Sequence, residues 1–189
     1  MKIGITGGIG SGKSYVCQRL QALTGIEVFD CDSEAKRLMR TSAQLRQQLT
    51  ALIGPDTYTA EGQLNKAVVA RYLLASEAHA KAVDNIVHPA VFDAFRNSNC
   101  QWMESAILYE SGAVKLVDKV VCVVAPLEVR IARVMARDNI SREKVEEWMK
   151  HQLPQDEVAA KAHFIVVNDG VTDIDKQIIK IIQQCNKQF

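Results

Sequence analysis

The chain has 189 residues, of which 48% are hydrophobic and 24% charged, with a formal net charge of +1. This composition is typical of a globular domain with a sizeable core and excludes a disordered or fibrous protein. The near-neutral charge argues against nucleic acid as a partner. The sequence shows neither a secretory signal nor an apolar run that could span a bilayer, and its five cysteines lack close metal-ligand spacing. We therefore expect a cytoplasmic protein with reduced thiols and no membrane attachment; the sequence leaves the oligomeric state open.

The amino-terminal part predicts a strand, a glycine loop, a helix and a second strand. Residues 2–6 are rich in β-branched side chains and lead directly into glycines, which is typical of a buried strand. Apolar residues at helical spacing then predict a helix over 13–23, with Gly25 as its stop. A second strand is expected at 26–29.

The middle of the chain differs from both ends. Residues 33–96 contain almost no strand signal and are dominated by helix formers, so a helical insertion is expected. Later segments predict strands at 102–108, 120–124 and 164–167. A helix is expected at 127–136, where Pro126 stands at its start, and another from the N-cap Ser141 to about 151. The chain should end in a helix with one face of isoleucines.

Strands that alternate with helices predict an α/β fold with right-handed crossovers and a parallel sheet between two helical layers. We expect a single domain over 1–189, with a three-layer α/β/α core at about 1–32 and 101–189. The helical insertion covers about 33–100, and a short lid covers about 137–151.

A phosphate-binding loop is the strongest motif in the sequence. The run from Gly7 to Ser14, GGIGSGKS, fits G-x-x-x-x-G-K-S/T between a predicted strand and a predicted helix. Glycines let backbone N–H groups turn toward phosphate oxygens, and the helix adds the positive end of its dipole. Lys13 is expected to reach the β- and γ-phosphates and Ser14 to hold Mg²⁺. The fold is therefore predicted to be that of a P-loop NTPase.

Several kinds of P-loop protein can be distinguished by sequence. A GTPase needs the guanine-reading N-K-x-D motif, which the chain lacks, and motor or helicase cores are larger. A small domain with a helical insertion and an Arg-bearing excursion suits a small-molecule kinase, which must exclude water from its phosphates. A nucleotide or other metabolite kinase, and a non-catalytic ATP-binding switch module, remain alternatives.

Aspartates after the second strand and arginines of the predicted lid are candidates for roles in phosphoryl transfer. Asp32 follows the second strand, where a carboxylate can accept the proton of an attacking hydroxyl, although aspartate is also a common helix N-cap. Asp30 is a candidate for orienting magnesium-bound water, or is structural. Arg137 can stabilise transition-state charge from the lid, with Arg133 and Arg142 as further lid candidates, while solvated helix-end arginines are the alternative.

Six motifs together resemble the dephospho-CoA kinase family. The resemblance spans essentially the whole chain, although this sequence departs from the family at 154–156, where relatives often carry an arginine. The matching segments, in order, are Gly4–Ser14, Val28–Asp32, His88-Pro89, Ile107–Glu110, Arg137–Asn139 with Ser141–Glu143, and Asn168–Gly170.

The resemblance implies transfer of the ATP γ-phosphoryl to the ribose 3′-hydroxyl of dephospho-CoA, with Mg²⁺. It implies Asp32, Lys13 and Arg137 as catalytic residues, Asp32, His88 and Glu110 on the acceptor side, and Ser14 at the metal. The implied ATP-binding residues are Gly8, Ile9, Gly10, Ser11, Gly12, Lys13, Ser14, Tyr15, Arg137, Asn168 and Gly170.

Overall fold

A computed structural model describes residues 1–186 and places five strands of this part of the chain in one sheet. The spatial order is β2-β3-β1-β4-β5, in which β1 pairs in parallel with β3 and β4, and β4 pairs in parallel with β5. Because β1 lies between neighbours from later in the chain, its carboxyl end is where open α/β sheets bind ligands. The strands are β1 Ile3–Thr6, β2 Val28–Asp30, β3 Trp102–Glu104, β4 Lys119–Val124 and β5 Phe164–Val167.

The backbone divides into two compact units, one comprising Met1–Phe29 and the chain from Cys100 onward, the other Asp30–Asn99. The first unit contains the sheet and five helices that flank it. Its main core joins apolar residues of β1 and β4 to Val16 and Leu20 on one helix and to the isoleucine face of another. These helices are α1 Lys13–Thr24, α6 Leu127–Asp138, α7 Arg142–Met149, α8 Gln155–Lys161 and α9 Ile174–Asn186.

The Asp30–Asn99 unit is built of helices. Its longest helix, α5, buries Val83, Val87, Val91 and Phe95, a spacing of four residues that places them on one helix face. Side-chain caps begin its helices, and a short 3-10 turn at Pro55–Thr57 follows the break at Gly54. The four helices are α2 Cys31–Thr41, α3 Ala43–Ile53, α4 Lys66–Ala75 and α5 Glu77–Asn97.

Most predicted elements are confirmed. The strand at 164–167 has the predicted bounds, Gly25 ends α1 with a φ of 70°, and the Ser141 side chain accepts a hydrogen bond from the Lys144 N–H. Trp102 is buried in the main core, and Trp148 packs half-buried against the cluster formed by α6 and α7. The parallel α/β fold follows the alternation of strands and helices.

The structure differs from the prediction at several places. The strand expected at 26–29 runs from Val28 to Asp30, and the helix expected to reach about 151 ends at Met149. The strand predicted at 102–108 ends at Glu104, because the chain turns after the Ser105 N–H bonds to the Ile5 carbonyl. Helix α8 was not expected, since its seven residues bury only Val158 and so carry no periodic signal. Residues 187–189 of the predicted core lie outside the described residues.

Four of the five cysteines, Cys17, Cys31, Cys122 and Cys185, are buried. Among residues 1–186, no helix is long and apolar enough to cross a membrane.

The core of the helical unit depends on Phe95, whose side chain is fully buried. We expect Phe95→Ala to lower the free energy of unfolding by about 3–5 kcal/mol, because it removes packed apolar surface and leaves a cavity. Urea unfolding followed by circular dichroism measures this loss. Leu74→Ala is the matched control: Leu74 is 86% exposed and should change stability by less than about 0.5 kcal/mol. A similar small effect for both variants would contradict this account of the core.

Candidate active site

The glycine loop joins β1 to α1 at the carboxyl edge of the sheet. The Lys13 ammonium donates to the Gly7 carbonyl at 2.9 Å, and the Ser11 N–H donates to the Gly8 carbonyl at 3.1 Å. Helix α1 begins at Lys13, so its positive dipole end adjoins the loop. The buried Ser11 hydroxyl has no hydrogen-bond partner within residues 1–186. A buried donor of this kind is suited to an oxygen ligand.

Asn168 ties the loop to the end of β5. Its side-chain Nδ2 donates to the Ser11 carbonyl at 2.8 Å, and its N–H donates to the Val124 carbonyl at the same distance. A Cβ at Gly12 would lie 2.1 Å from that Nδ2, and the Gly12 φ is 86°. Gly12 is therefore required both by its backbone conformation and by the side chain packed against it.

Arg133 reinforces the same junction from α6. Its guanidinium donates to the Asn168 carbonyl at 3.1 Å, to the Asn168 Oδ1 at 3.3 Å and to the Ser11 carbonyl at 3.4 Å. These partners are uncharged, so the bonds leave the positive charge of Arg133 uncancelled beside the loop.

Arg130 lies against the other side of the loop. It is buried, and its Nε donates to the Ile9 carbonyl at 2.9 Å. A Cβ at Gly8 would lie 2.3 Å from its Nη2, which explains a glycine at a position that the phosphate-loop pattern leaves free. Burial lowers the pKa of Arg130, while nearby Cys122 and Asp156 act in the opposite direction. A guanidinium nevertheless stays charged at neutral pH.

Cys122 lies near these cations on β4. Burial raises the pKa of its thiol to about 11, although Lys13 and Arg130 favour the thiolate. The thiol is therefore neutral at physiological pH and is not an activated nucleophile.

Ser14 and Glu104 bring two oxygen groups together beside the loop. The Ser14 hydroxyl donates to the Glu104 Oε1 at 3.1 Å. Hydroxyl and carboxylate oxygens are the hard ligands that Mg²⁺ prefers, usually with phosphate oxygens and water completing its coordination. The described residues contain no cluster of three or more acidic, His or Cys side chains that could hold a metal alone.

An open cleft of about 260 Å³ adjoins the loop on the side of α1 and α9. It is lined by three predicted nucleotide-binding residues, Tyr15, Asn168 and Gly170. The Arg19–Asp175 ion pair forms part of its wall. The turn that contains Gly170 is held by Asp169, which accepts from the Val171 and Thr172 N–H groups and the Thr172 hydroxyl. Those bonds hold the pKa of the Asp169 carboxyl at about 2.

Two predicted lid arginines are paired with carboxylates rather than with the loop. Arg137, at the end of α6, makes a two-pronged contact with Asp138 at 2.9 and 2.7 Å. Arg142 makes a similar contact with Glu128 at 2.8 and 2.7 Å and also bonds to Glu146. Of the three predicted arginines, Arg133 is therefore the one bonded to the phosphate loop.

The predicted acceptor-side residues lie in different parts of the chain. Glu110 is exposed in the sheet unit and accepts the Leu153 N–H at 3.0 Å. Asp32 and His88 belong to the helical unit. The His88 Nε2 lies 3.6 Å from the Asp84 carboxylate, and its ring stacks on Phe92.

The carboxylates that follow β2 have separate positions. Asp30 is the N-cap of α2, and its carboxylate accepts from both the N–H and the hydroxyl of Ser33. Asp32 is exposed in the first turn of α2. The alternative that Asp32 is the helix N-cap is therefore wrong, because the helix begins two residues earlier than that role requires, at Cys31.

Three residues at the loop were not identified from sequence: Glu104, Arg130 and Gln152. Glu104 ends a strand beside β1, and an acidic residue at the end of an apolar strand was a usable signal. Arg130 and Gln152 gave no signal, because their contacts with the loop span 121 and 143 residues of sequence.

Comparison with known proteins agrees with this geometry. The family model for dephospho-CoA kinase matches residues 1–173. The chain belongs to the dephospho-CoA kinase family. A dephospho-CoA kinase of Bacteroides fragilis is 41% identical over 96% of this chain and 91% of its own length. That of Salinibacter ruber is 38% identical over 89% of this chain and 88% of its own length.

Solved structures show the same fold. A Thermus thermophilus protein has a TM-score of 0.80 at 30% identity, covering 97% of this chain and 96% of its own. The dephospho-CoA kinase of Campylobacter jejuni has a TM-score of 0.68 at 22% identity, covering 100% and 99%. A shikimate kinase of Acinetobacter baumannii, with a TM-score of 0.56 at 18% identity, covers 99% and 93%. The fold is that of the P-loop kinases.

The close contact between Gly8 and Arg130 predicts coupling between the two positions. Gly8→Ala should displace the buried guanidinium and lower the free energy of unfolding. In the double variant with Arg130→Ala, we expect a loss smaller than the sum of the single losses by about 0.5–3 kcal/mol, since no guanidinium remains to be displaced. Urea unfolding of all four proteins measures this coupling. Additive losses would mean that the methyl group and Arg130 do not compete for the same space.

Proposed function

We propose that this protein transfers the γ-phosphoryl group of ATP to the 3′-hydroxyl of the ribose of dephospho-CoA, giving ADP and coenzyme A, in the cytoplasm. The main support for this proposal is the glycine loop at the end of β1, whose backbone carbonyls accept hydrogen bonds from Lys13 and Asn168. The chain that contains this loop matches the dephospho-CoA kinase family over residues 1–173.

ATP binds with its phosphates in the loop formed by Gly8, Ile9, Gly10, Ser11, Gly12, Lys13 and Ser14. Backbone N–H groups and the dipole of α1 attract the phosphate oxygens, and Lys13 draws charge from the β- and γ-phosphates. The adenosine portion occupies the open cleft beside the loop, which is lined by Tyr15, Asn168 and Gly170.

The residues beside the loop fit a magnesium ion. The Ser14 hydroxyl and the Glu104 carboxylate are 3.1 Å apart and can hold Mg²⁺ directly or through water. When bound there, the ion would neutralise charge that develops in phosphoryl transfer. Asp30 is occupied by its bonds with Ser33, which favours its structural role.

Asp32 accepts the proton of the attacking 3′-hydroxyl, and the helical insertion at about 33–100 binds the acceptor, with His88 and Glu110 as contacts. Support comes from the resemblance of Val28–Asp32 and His88-Pro89 to the family and from the exposed carboxylate of Asp32. The lid at about 137–151 brings Arg137 to the transferring phosphoryl group. There the guanidinium gives up its hydrogen bonds to Asp138 and bonds to phosphate oxygens instead.

The decisive assay is Mg²⁺-dependent ADP release by the purified protein with dephospho-CoA, AMP, adenosine and shikimate as acceptors. We expect turnover with dephospho-CoA alone, abolished in Lys13→Ala. Turnover with another acceptor would retain a P-loop kinase but reject this substrate. ATP binding without acceptor-dependent ADP release would instead indicate a switch module.

The assignment of Asp32 as the base predicts a loss in turnover rather than in ATP binding. Asp32→Asn should lower kcat by roughly 10²- to 10⁴-fold, the usual range for a lost general base, with an unchanged Kd for ATP. Steady-state kinetics and calorimetry measure the two quantities. Asp56→Asn, an exposed carboxylate in the same unit, serves as the control. Near-normal kcat in Asp32→Asn would remove the assignment.

Substitutions of Arg133 and Arg137 should affect different steps, ATP binding for Arg133 and turnover for Arg137. Arg133→Ala should raise the Kd for ATP, because it loosens the junction between Ser11 and Asn168. Arg137→Ala should lower kcat by about 10²- to 10³-fold while ATP still binds, as expected for lost transition-state stabilisation. Arg96→Ala, an exposed arginine paired with Asp93, is the control. A change in KM alone for Arg137→Ala would contradict its catalytic role.

A further inference from the structure

The backbone N–H and the backbone carbonyl of Ile9 are both hydrogen-bonded to side chains from outside the phosphate loop. Its N–H donates to the Gln152 Oε1 at 2.8 Å, and its carbonyl accepts from the Arg130 Nε at 2.9 Å. The Ile9 side chain, like Trp148 and Met149, packs against the apolar cluster that Ile131, Val134 and Val145 of α6 and α7 form. Ile9 is therefore attached to the α6–α7 region by its backbone and by its side chain.

Gln152 belongs to a short strap, residues 152–155, that is fixed at two further points. The Leu153 N–H donates to the Glu110 Oε1 at 3.0 Å. The Gln155 carboxamide bonds to both the N–H and the carbonyl of Ala125, at 3.1 and 3.2 Å. Because the strap is anchored at Leu153 and at Gln155, its backbone fixes the position from which the Gln152 side chain reaches Ile9.

The acceptor at the Ile9 N–H is a neutral amide oxygen in a loop whose N–H groups attract phosphate oxygens. An anionic phosphate oxygen is the stronger acceptor, because charge-assisted hydrogen bonds are roughly twice as strong as neutral ones. Gln152 and a phosphate oxygen of bound ATP would therefore compete for one donor, the Ile9 N–H.

We propose that Gln152 is a positioning residue whose amide oxygen holds the place of a terminal-phosphate oxygen at the Ile9 N–H and is displaced by ATP but not by ADP. This inference rests on the proposed function. When phosphate displaces the Gln152 side chain from Ile9, the strap that follows α7 loses one of its attachments. Binding of the terminal phosphate therefore changes how firmly α7, which carries Arg142 and Trp148, is held to the loop. ADP, which has one phosphate fewer, leaves the bond between Gln152 and Ile9 in place.

The test measures the affinities of a non-hydrolysable ATP analogue and of ADP by calorimetry in two variants with opposite expectations. Gln152→Ala removes the competitor and should tighten binding of the analogue about two- to tenfold, the range for one net hydrogen bond, with unchanged ADP affinity. Gln152→Glu places a carboxylate at the same donor and should weaken binding of the analogue more than that of ADP. Gln183→Ala, an exposed glutamine on α9, is the matched control.

Amide hydrogen exchange at Ile9, followed by NMR, provides a second readout, in which the difference between the ATP analogue and ADP distinguishes displacement by phosphate from a purely structural role. The Ile9 N–H should exchange faster in Gln152→Ala than in the unaltered protein, and the ATP analogue, unlike ADP, should restore its protection. Thermal unfolding shows whether each variant folds, and Gln152→Asn, whose shorter side chain falls short of Ile9, replaces any variant that does not.

Equal changes for the ATP analogue and ADP, or weaker binding of the analogue in Gln152→Ala, would overturn the inference. Failure of the unaltered protein to bind ATP would instead reject the proposed function, so the two failures are distinguishable.

Discussion

The phosphate loop keeps its shape because side chains from distant parts of the chain bond to its backbone. Asn168 holds the Ser11 carbonyl, Arg130 holds the Ile9 carbonyl, and Gln152 holds the Ile9 N–H. Glycine-rich segments lose much conformational entropy on folding, and these long-range bonds offset part of that cost. The same close approach explains why a side chain cannot be placed at Gly8 or Gly12 without a clash.

The arginines of the sheet unit fall into two groups by the charge of their partners. Arg130 and Arg133 bond mainly to backbone carbonyls and a carboxamide, so their positive charge remains directed at the loop. Arg137 and Arg142 are paired with carboxylates, which neutralise them locally. Exposed pairs of this second kind contribute little to stability, so they can be exchanged at small cost for a more highly charged phosphate ligand. Arg130 and Arg133 therefore provide a permanent positive potential at the phosphate loop. Arg137 and Arg142 can instead exchange their carboxylate partners for phosphate.

The sequence predicted most of the sheet unit because its signals are local. A β-branched run followed by glycines indicates β1 and its loop, and helical spacing of apolar residues indicates α1 and α9. Where the local signal was weak, prediction failed. Helix α8 buries a single residue, and the apolar run at 102–108 continues past the point where the chain leaves the sheet. The N-cap at Asp30 rather than Asp32 was decided by where β2 ends, which the sequence did not mark.

Sequence by itself determined the chemical groups that a phosphate loop needs: Lys13, Ser14 and glycines at fixed spacing, which act through backbone geometry that nearby residues specify. Only the tertiary structure decided which other side chains reach that loop. Arg130, Arg133, Asn168 and Gln152 are more than a hundred residues away from it in sequence, and their contacts depend on how α6, β5 and the strap pack beside β1. Local sequence specifies the backbone N–H groups that can bind phosphate. Packing of the whole sheet unit positions the distant side chains that hold the loop in its conformation.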